Sequence, residues 1–578
     1  MFEWQTTCRD PWAILFFRQD IFTMFNSIRE HPAAAGTAVP VESPRALPED
    51  SSASSRRLTI GVRALIVFGM FVLLVWTKQH FAGASSAAFG AFPDEPAHFV
   101  GGLMFHDYLS NSSWKDPIGY VRDYHLHLPF FALGVWPPLF YAIEGVWMEV
   151  FGERRESILW LVAAIAAALA TALYRVLEKQ FDVGTAVAGG AMFLLVPVVQ
   201  WSECVVMADL ICSLFAVIAI LFFARFMDRR RWFDSALFGC FAGLALLTKN
   251  STYFLVLVPV FVIPAARRWD LLRTRALWIA PVVVACLYLP WLVISRPFLL
   301  LGIRGLELPD FWGIQRQYLV TLWRQTSFLL LLAAIGAGYL ITSKRPIRPI
   351  AMCMLAVIPA ISIGIFVAKV PVQDRLLIVS YVAVIFLACE CLAAFLRTWK
   401  RQVVLLACLL AFGVLSWGQF TRPPVNHLRG AVAFLQARDG NHPGAVLAPS
   451  SGEGPWIAEI AQSEAKRPLR IVLRPTKVFG DENWNGTNWH PFYTSAADLR
   501  AFFDRVPMKY CILAPPAAGR SYPHEQMLEY VMAANPEQWR LIYSGEGGFR
   551  VYENAHWTPE SEPAVLNEVK RLSPSYLR

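Results

Sequence analysis

The sequence predicts a polytopic α-helical membrane protein with a small soluble α/β domain at its C-terminal end. Three observations carry that prediction. The chain is 56% hydrophobic and only 16% charged, with a mean hydropathy of +0.43. Apolar runs approaching the roughly 20 residues that cross a bilayer recur from residue 59 to residue 419. From residue 420 onward the composition changes to that of a soluble domain, in which short β-like runs alternate with helical stretches. The 21 Trp and 41 Phe suit the aromatic belts found at membrane interfaces.

Residues 1–58 read as a cytoplasmic, largely disordered segment rather than a cleavable signal. A short apolar patch, Trp12 to Phe17, is followed by an Ala/Pro/Ser-rich stretch from Pro32 to Ser55. Arg56-Arg57 then precede the first span and hold the N-terminus inside. Apolar runs fall at 59–79, 157–177, 183–200, 209–227, 233–249, 251–266, 276–294, 326–343, 349–368, 375–396 and 402–419, which makes about eleven spans. The stretch Trp136 to Phe151 is short and carries Glu144 and Glu149, so it reads as a helix along the membrane face or partly inserted.

Charge supports that reading. If 136–151 does not cross, the loops at Arg175 to Lys179, Asp228 to Arg231, Arg267-Arg268, Lys344-Arg345 with Arg348, and Arg397 to Arg401 all face the cytoplasm, and every one is basic. The net charge of +9 therefore has a source in topology and does not call for nucleic acid. The ten Cys lie mostly inside apolar runs, with no spacing that suggests a disulfide framework or a zinc site.

The opposite, exoplasmic face collects a different set. It holds the first loop, 80–156, the turn from Trp201 to Asp209, the Thr248-Lys249-Asn250 junction, the loop from Ser295 to Gln325, the turn from Lys369 to Arg375, and everything after Phe420. Asp94, Glu95, Asp209, Lys249 and Arg375 all lie near this face, and ionisable groups at membrane depth mark functional sites by default. Taken alone, Pro93-Asp94-Glu95 also fits a plain helix start, Lys249 a snorkelling side chain, Asp209 a helix cap, and Arg375 a local pair with Asp374. Asp94 and His98 share a helical face, and with Asp209 and a water they can hold a divalent metal. His106, His125 and His127 lie in the same loop, and no HExxH spacing is present.

In order along the chain, Asp94-Glu95, Trp136-Pro137-Pro138-Leu139-Phe140-Tyr141, Asp209, Leu246-Leu247-Thr248-Lys249 and Asp374-Arg375-Leu376-Leu377 resemble the GT-C superfamily of integral-membrane glycosyltransferases. The nearest branch is that of the protein O-mannosyltransferases and bacterial aminoarabinose transferases. The resemblance covers roughly residues 60–400 and rests on the order of short motifs. It implies a polyprenyl-phosphate sugar donor and a lipid, glycan or protein acceptor. It implies Asp94 as general base, with Glu95 orienting acceptor or metal, and Lys249 and Arg375 on the donor phosphate. Asp209 and His98 are expected to face acceptor or metal. The chain departs from many relatives in having His98 where they have a Tyr, and Trp136 where they have a His.

Within 420–578, strands are expected at Ala445 to Leu447, Arg470 to Leu473, Tyr510 to Leu513, Leu541 to Tyr543 and Phe549 to Tyr552. Ser451-Gly452-Glu453-Gly454 reads as a turn before a helix. Trp484-Asn485-Gly486-Thr487-Asn488-Trp489-His490 suits sugar stacking and also an ordinary surface loop. A lipid-linked-sugar transporter or flippase, or a non-catalytic scaffold, stands as the alternative. Transporters tend to carry internal repeats, and none is evident here.

Overall fold

The computed structural model describes residues 50–111, 115–129, 134, 136–299, 310–343, 346–417, 427–481, 489–515 and 522–572. Most of the predicted disordered segment and the loop residues 484–488 lie outside these. Residues 1–60 and 61–578 form separate units, and every residue of the site belongs to the second.

Among the described residues, seven helices are long and apolar enough to cross a membrane: Gly61–Ala82, Arg155–Gln180, Asp209–Arg229, Arg275–Arg296, Pro349–Ala368, Asp374–Phe395 and Thr398–Ser416. An eighth span is formed if Phe311–Thr326 and Phe328–Thr342 count together, although they meet at 114°. The expectation of about eleven is thus not confirmed, because an apolar run does not guarantee one long unbroken helix. Run 183–200 stops at Leu194, where Val196 turns extended ahead of Pro197. Runs 233–249 and 251–266 form the apolar helical stretches Trp232–Thr248 and Asn250–Ala265, each shorter than a span, on either side of Lys249 in an extended conformation.

The elements that position the site are α1 (Asp50–Ala82), α2 (Glu95–Asn111), α3 (Pro117–His127), α4 (Leu139–Phe151), α5 (Arg155–Gln180), α6 (Val183–Leu194), α7 (Pro197–Ser202), α8 (Asp209–Arg229) and α9 (Trp232–Thr248). They are followed by α10 (Leu257–Ala265), α11 (Ile279–Leu299), α12 (Phe311–Thr326), α13 (Phe328–Thr342), α14 (Pro349–Ala368), α15 (Ile378–Phe395) and α16 (Thr398–Trp417). Small residues let these helices approach closely, as membrane packing requires. Gly239 of α9 lies against the Ala280 backbone, and Gly336 of α13 against the Leu387 carbonyl of α15. The bend between α12 and α13 falls on Ser327, at a φ of 49°. The stretch Trp136 to Phe151 yields only α4, whose thirteen residues pack on α2.

The C-terminal elements are α17 (Leu428–Asp439), β1 (Ala445–Leu447), α18 (Glu453–Ser463), β2 (Ile471–Leu473), α19 (Pro475–Val478), β3 (Gly480–Asp481), β4 (His490–Pro491), α20 (Ala496–Arg505), β5 (Tyr510–Leu513), α21 (Pro523–Ala534), β6 (Trp539–Ser544), β7 (Arg550–Asn554) and α22 (Glu562–Leu572). Five strands form one mixed sheet in the order β2-β1-β5-β7-β6, parallel across β2-β1-β5 and antiparallel beyond. The three parallel strands are apolar and buried throughout, as expected when helices cover both faces. The turn at Ser450–Gly452 leads into α18, whose first carboxylate, Glu453, is bound by Arg474 and by the Thr476 backbone and hydroxyl.

Candidate active site

Pro93-Asp94-Glu95 closes a loop and opens α2, with the Asp94 carbonyl accepting the His98 backbone N–H at 3.0 Å. The two adjacent acids then part. Asp94 faces a group assembled from distant elements. Asp209 is the first residue of α8, Lys249 follows the last residue of α9, and Arg375 sits in the 3₁₀ turn Asp374–Leu377 that leads into α15. The Arg375 guanidinium donates to Asp94 Oδ2 at 3.1 Å and lies 3.8 Å from Asp209 Oδ2, while Lys249 donates to Asp209 Oδ1 at 2.6 Å. Gln373 accepts from Arg375 Nε at 2.9 Å, and the Phe92 ring lies 4.2 Å beneath the guanidinium carbon.

Burial grades these side chains. Asp209 is 2% exposed, Arg375 12%, Lys249 17% and Asp94 31%, so Asp94 is the member most open to an incoming molecule. The group is also under-bonded. Arg375 Nη1 and Asp209 Oδ2 are both buried, and among the described residues neither makes a hydrogen bond. Buried polar atoms are ordinarily satisfied, so such a pair needs explanation.

His98 is buried next to this group, with Nδ1 3.0 Å from the Tyr141 hydroxyl and its ring stacked 4.4 Å from Trp136. Burial first, and then the nearby Lys249 and Arg375 against the opposing Asp209, push its pKa down to about 3. It is neutral at physiological pH.

Two expectations need correction. Glu95 does not face acceptor or metal: it is fully buried, and its Oε1 accepts from Arg155 Nε at 2.9 Å, Arg155 Nη2 at 2.7 Å and the Val206 amide at 3.2 Å. Nor are Asp94, His98 and Asp209 grouped at metal-like spacing among the described residues. The two carboxylates are engaged by Arg375 and Lys249, and His98 Nδ1 by Tyr141. The group among the described residues with metal-like spacing is His106, Asp107 and Glu153, and Arg467 already fills it, donating to Asp107 at 2.8 and 2.9 Å and to Glu153.

Arg155 was invisible to sequence reasoning. Its remaining N–H groups reach the carbonyls of Ala84, Ala87 and Cys204. The available signal was an arginine at the head of an apolar span, here fully buried.

Comparison with known proteins bears on what this arrangement belongs to. Residues 135–294 match the family model of the dolichyl-phosphate-mannose-protein mannosyltransferases. No curated protein is a significant sequence match. ArnT from Cupriavidus metallidurans superposes with a TM-score of 0.55 at 13% identity, over 87% of this chain and 99% of that one. Its complex with undecaprenyl phosphate gives 0.52 at 14% identity, over 85% and 98%. The Archaeoglobus fulgidus oligosaccharyltransferase in complex with zinc and sulfate gives 0.54 at 15% identity, over 84% and 73%. The family match thus covers residues 135–294, and the likeness to these membrane enzymes extends over most of the chain as a shared fold.

Proposed function

We propose that the protein transfers a sugar from a polyprenyl-phosphate donor to a lipid, glycan or protein acceptor at the exoplasmic side of the membrane, with its N-terminus cytoplasmic and its C-terminal region exoplasmic. The observation that carries this reading is the chain of contacts Asp94–Arg375–Asp209–Lys249, which joins four distant elements and leaves buried donor and acceptor atoms unsatisfied. A fold shared with a protein crystallised with undecaprenyl phosphate supports the choice of donor.

In this reading the acceptor hydroxyl attacks the anomeric carbon, and the bond from that carbon to the phosphate oxygen breaks. The polyprenyl phosphate leaves with the electron pair, and the hydroxyl proton passes to Asp94. Arg375 and Lys249 stabilise the charge that develops on the leaving phosphate. The planar guanidinium suits bidentate binding and the ammonium acts as a point charge. Because Asp94 now shares Arg375, a donor phosphate must compete for that guanidinium. Success frees the carboxylate for the acceptor, so donor binding and activation of the base are one event. Buried, neutral His98 serves as a packed wall against Trp136 rather than as the proton acceptor. A zinc ion accompanies the archaeal neighbour. Here Asp94 and Asp209 are engaged by Arg375 and Lys249, and His98 by the Tyr141 hydroxyl.

The test is transfer of radiolabelled sugar from a panel of polyprenyl-phosphate sugars by purified protein in lipid. Wild type should transfer from at least one donor, and folded Asp94→Asn should not. Transfer from none would favour the transporter or scaffold, and full activity in Asp94→Asn would remove Asp94 as the base.

A further inference from the structure

The loop that delivers Asp94 is gripped from two sides, and one grip comes from the C-terminal region. From the membrane helices, Arg155 donates to the Ala84 and Ala87 carbonyls at 2.6 and 3.3 Å. From α17, Arg429 donates to the Ser86 and Ala87 carbonyls at 3.2 and 3.1 Å, so the Ala87 oxygen is shared by both arginines. Arg429 is itself oriented by Glu459 of α18, which accepts from its Nε at 3.0 Å. One turn earlier on α18, Pro455 rests on Gly90, whose φ of +115° excludes most other residues and whose missing Cβ would stand 3.0 Å from the proline ring. One turn later, the Gln462 side chain accepts the Arg155 backbone N–H at 2.8 Å.

We infer that Arg429 and Glu459 are positioning residues: α17 and α18 clamp residues 86–90 and thereby fix Asp94 for the transfer step, so the C-terminal region acts on catalysis through the base loop rather than through substrate. Glu459 is 4% exposed and Arg429 about a third, and both are used up by loop and partner contacts. Those bonds converge on a segment that ends four residues before Asp94. Misplacing a reacting group by about 1 Å can cost about a hundredfold in rate. The inference rests on Asp94 being the base.

The experiment compares full-length wild type, Arg429→Ala, Arg429→Lys and Glu459→Gln in lipid nanodiscs, by hydrogen exchange of peptides covering 83–95 and by donor-saturated transfer kinetics. Exchange in 83–95 should rise in Arg429→Ala while the spanning helices stay as protected as in wild type. Its kcat should fall about ten- to a hundredfold, with KM for the donor changed less than about threefold. Arg429→Lys, which keeps the charge facing Glu459 but not the planar fork, should lie between. Unchanged exchange in 83–95, or raised exchange with unchanged kcat, would overturn the inference. A loss expressed wholly in donor KM would overturn it too, since that is the mark of a binding residue. Exchange is read without turnover. A wild-type protein that transfers no sugar would therefore defeat the proposed function, while the clamp would still be judged by protection alone.

Discussion

Asp94 and Glu95 are neighbours in the chain, yet they head two ionic clusters of opposite character. Around Glu95, Arg155 places all its N–H groups on named acceptors, and the carboxylate adds backbone amides from Val206 and Gly90. Around Asp94, charges of both signs are buried with atoms left unbonded and one carboxylate still partly open. A saturated cluster has no valence left for a ligand, so it stabilises the fold. An under-bonded one has already met the desolvation cost of its charges and can recover it when a ligand arrives. Adjacent residues of the same type can thus fall on either side of the line between architecture and chemistry, and hydrogen-bond saturation marks where the line runs.

Four substitutions can break that distinction. Arg155→Ala should have the largest effect on stability, because it strands Glu95 as a buried charge: a loss of about 3–5 kcal/mol, read as a collapse in thermal stability or in yield. A variant that folds normally would show the cluster to be dispensable. Asp94→Asn should leave the unfolding temperature near that of wild type but lower kcat about 10²- to 10⁴-fold, as loss of a general base does. If it instead unfolds like Arg155→Ala, the two clusters do not differ in kind. Arg375→Lys keeps the charge but loses the fork and the stack on Phe92, and should raise the donor KM about tenfold. An unchanged KM would move the phosphate elsewhere.

The smallest effect sharpens the comparison through pH. His98 has a folded-state pKa of about 3 against an ordinary 6.5, lowered chiefly by burial. Between those values the unfolded chain binds the proton and the folded protein does not, so this residue subtracts stability as pH falls below about 6.5. His98→Gln should remove that slope from unfolding measured between pH 4 and 7. It should leave the acid limb of the transfer profile in place. Loss of that limb in the variant would make His98 the titrating group.

Much of the architecture was legible because it is written locally. The long apolar runs matched to helices at 61–82, 155–180 and 349–368 needed only composition. The strands around Val446, Val472 and Ile512 needed only short apolar runs bounded by turn residues. The expected site residues could be named because four of them sit at helix ends on one face. What stayed hidden was pairing across the chain. Glu95 and Arg155 are 60 positions apart, and Ala87 and Arg429 342 apart, and no periodicity encodes which cation meets which anion. The span count went unconfirmed for a different reason. Hydropathy measures the preference for lipid, whereas the breaks at Val196 and Lys249 are changes of backbone conformation that hydropathy does not see.

The contact between Arg375 and both carboxylates has one more consequence. Two anions and two cations lie within a few ångströms, and their fields cancel beyond the site. On the proposed function, abundant anionic lipids diffusing past would then feel almost no pull toward it, although Arg375 and Lys249 are the proposed phosphate ligands. On that reading entry would be decided at contact, by whether a headgroup can outcompete Asp94 for one guanidinium. Selectivity for a scarce lipid in a crowded leaflet would then come from an internal competitor, the carboxylate proposed as the base.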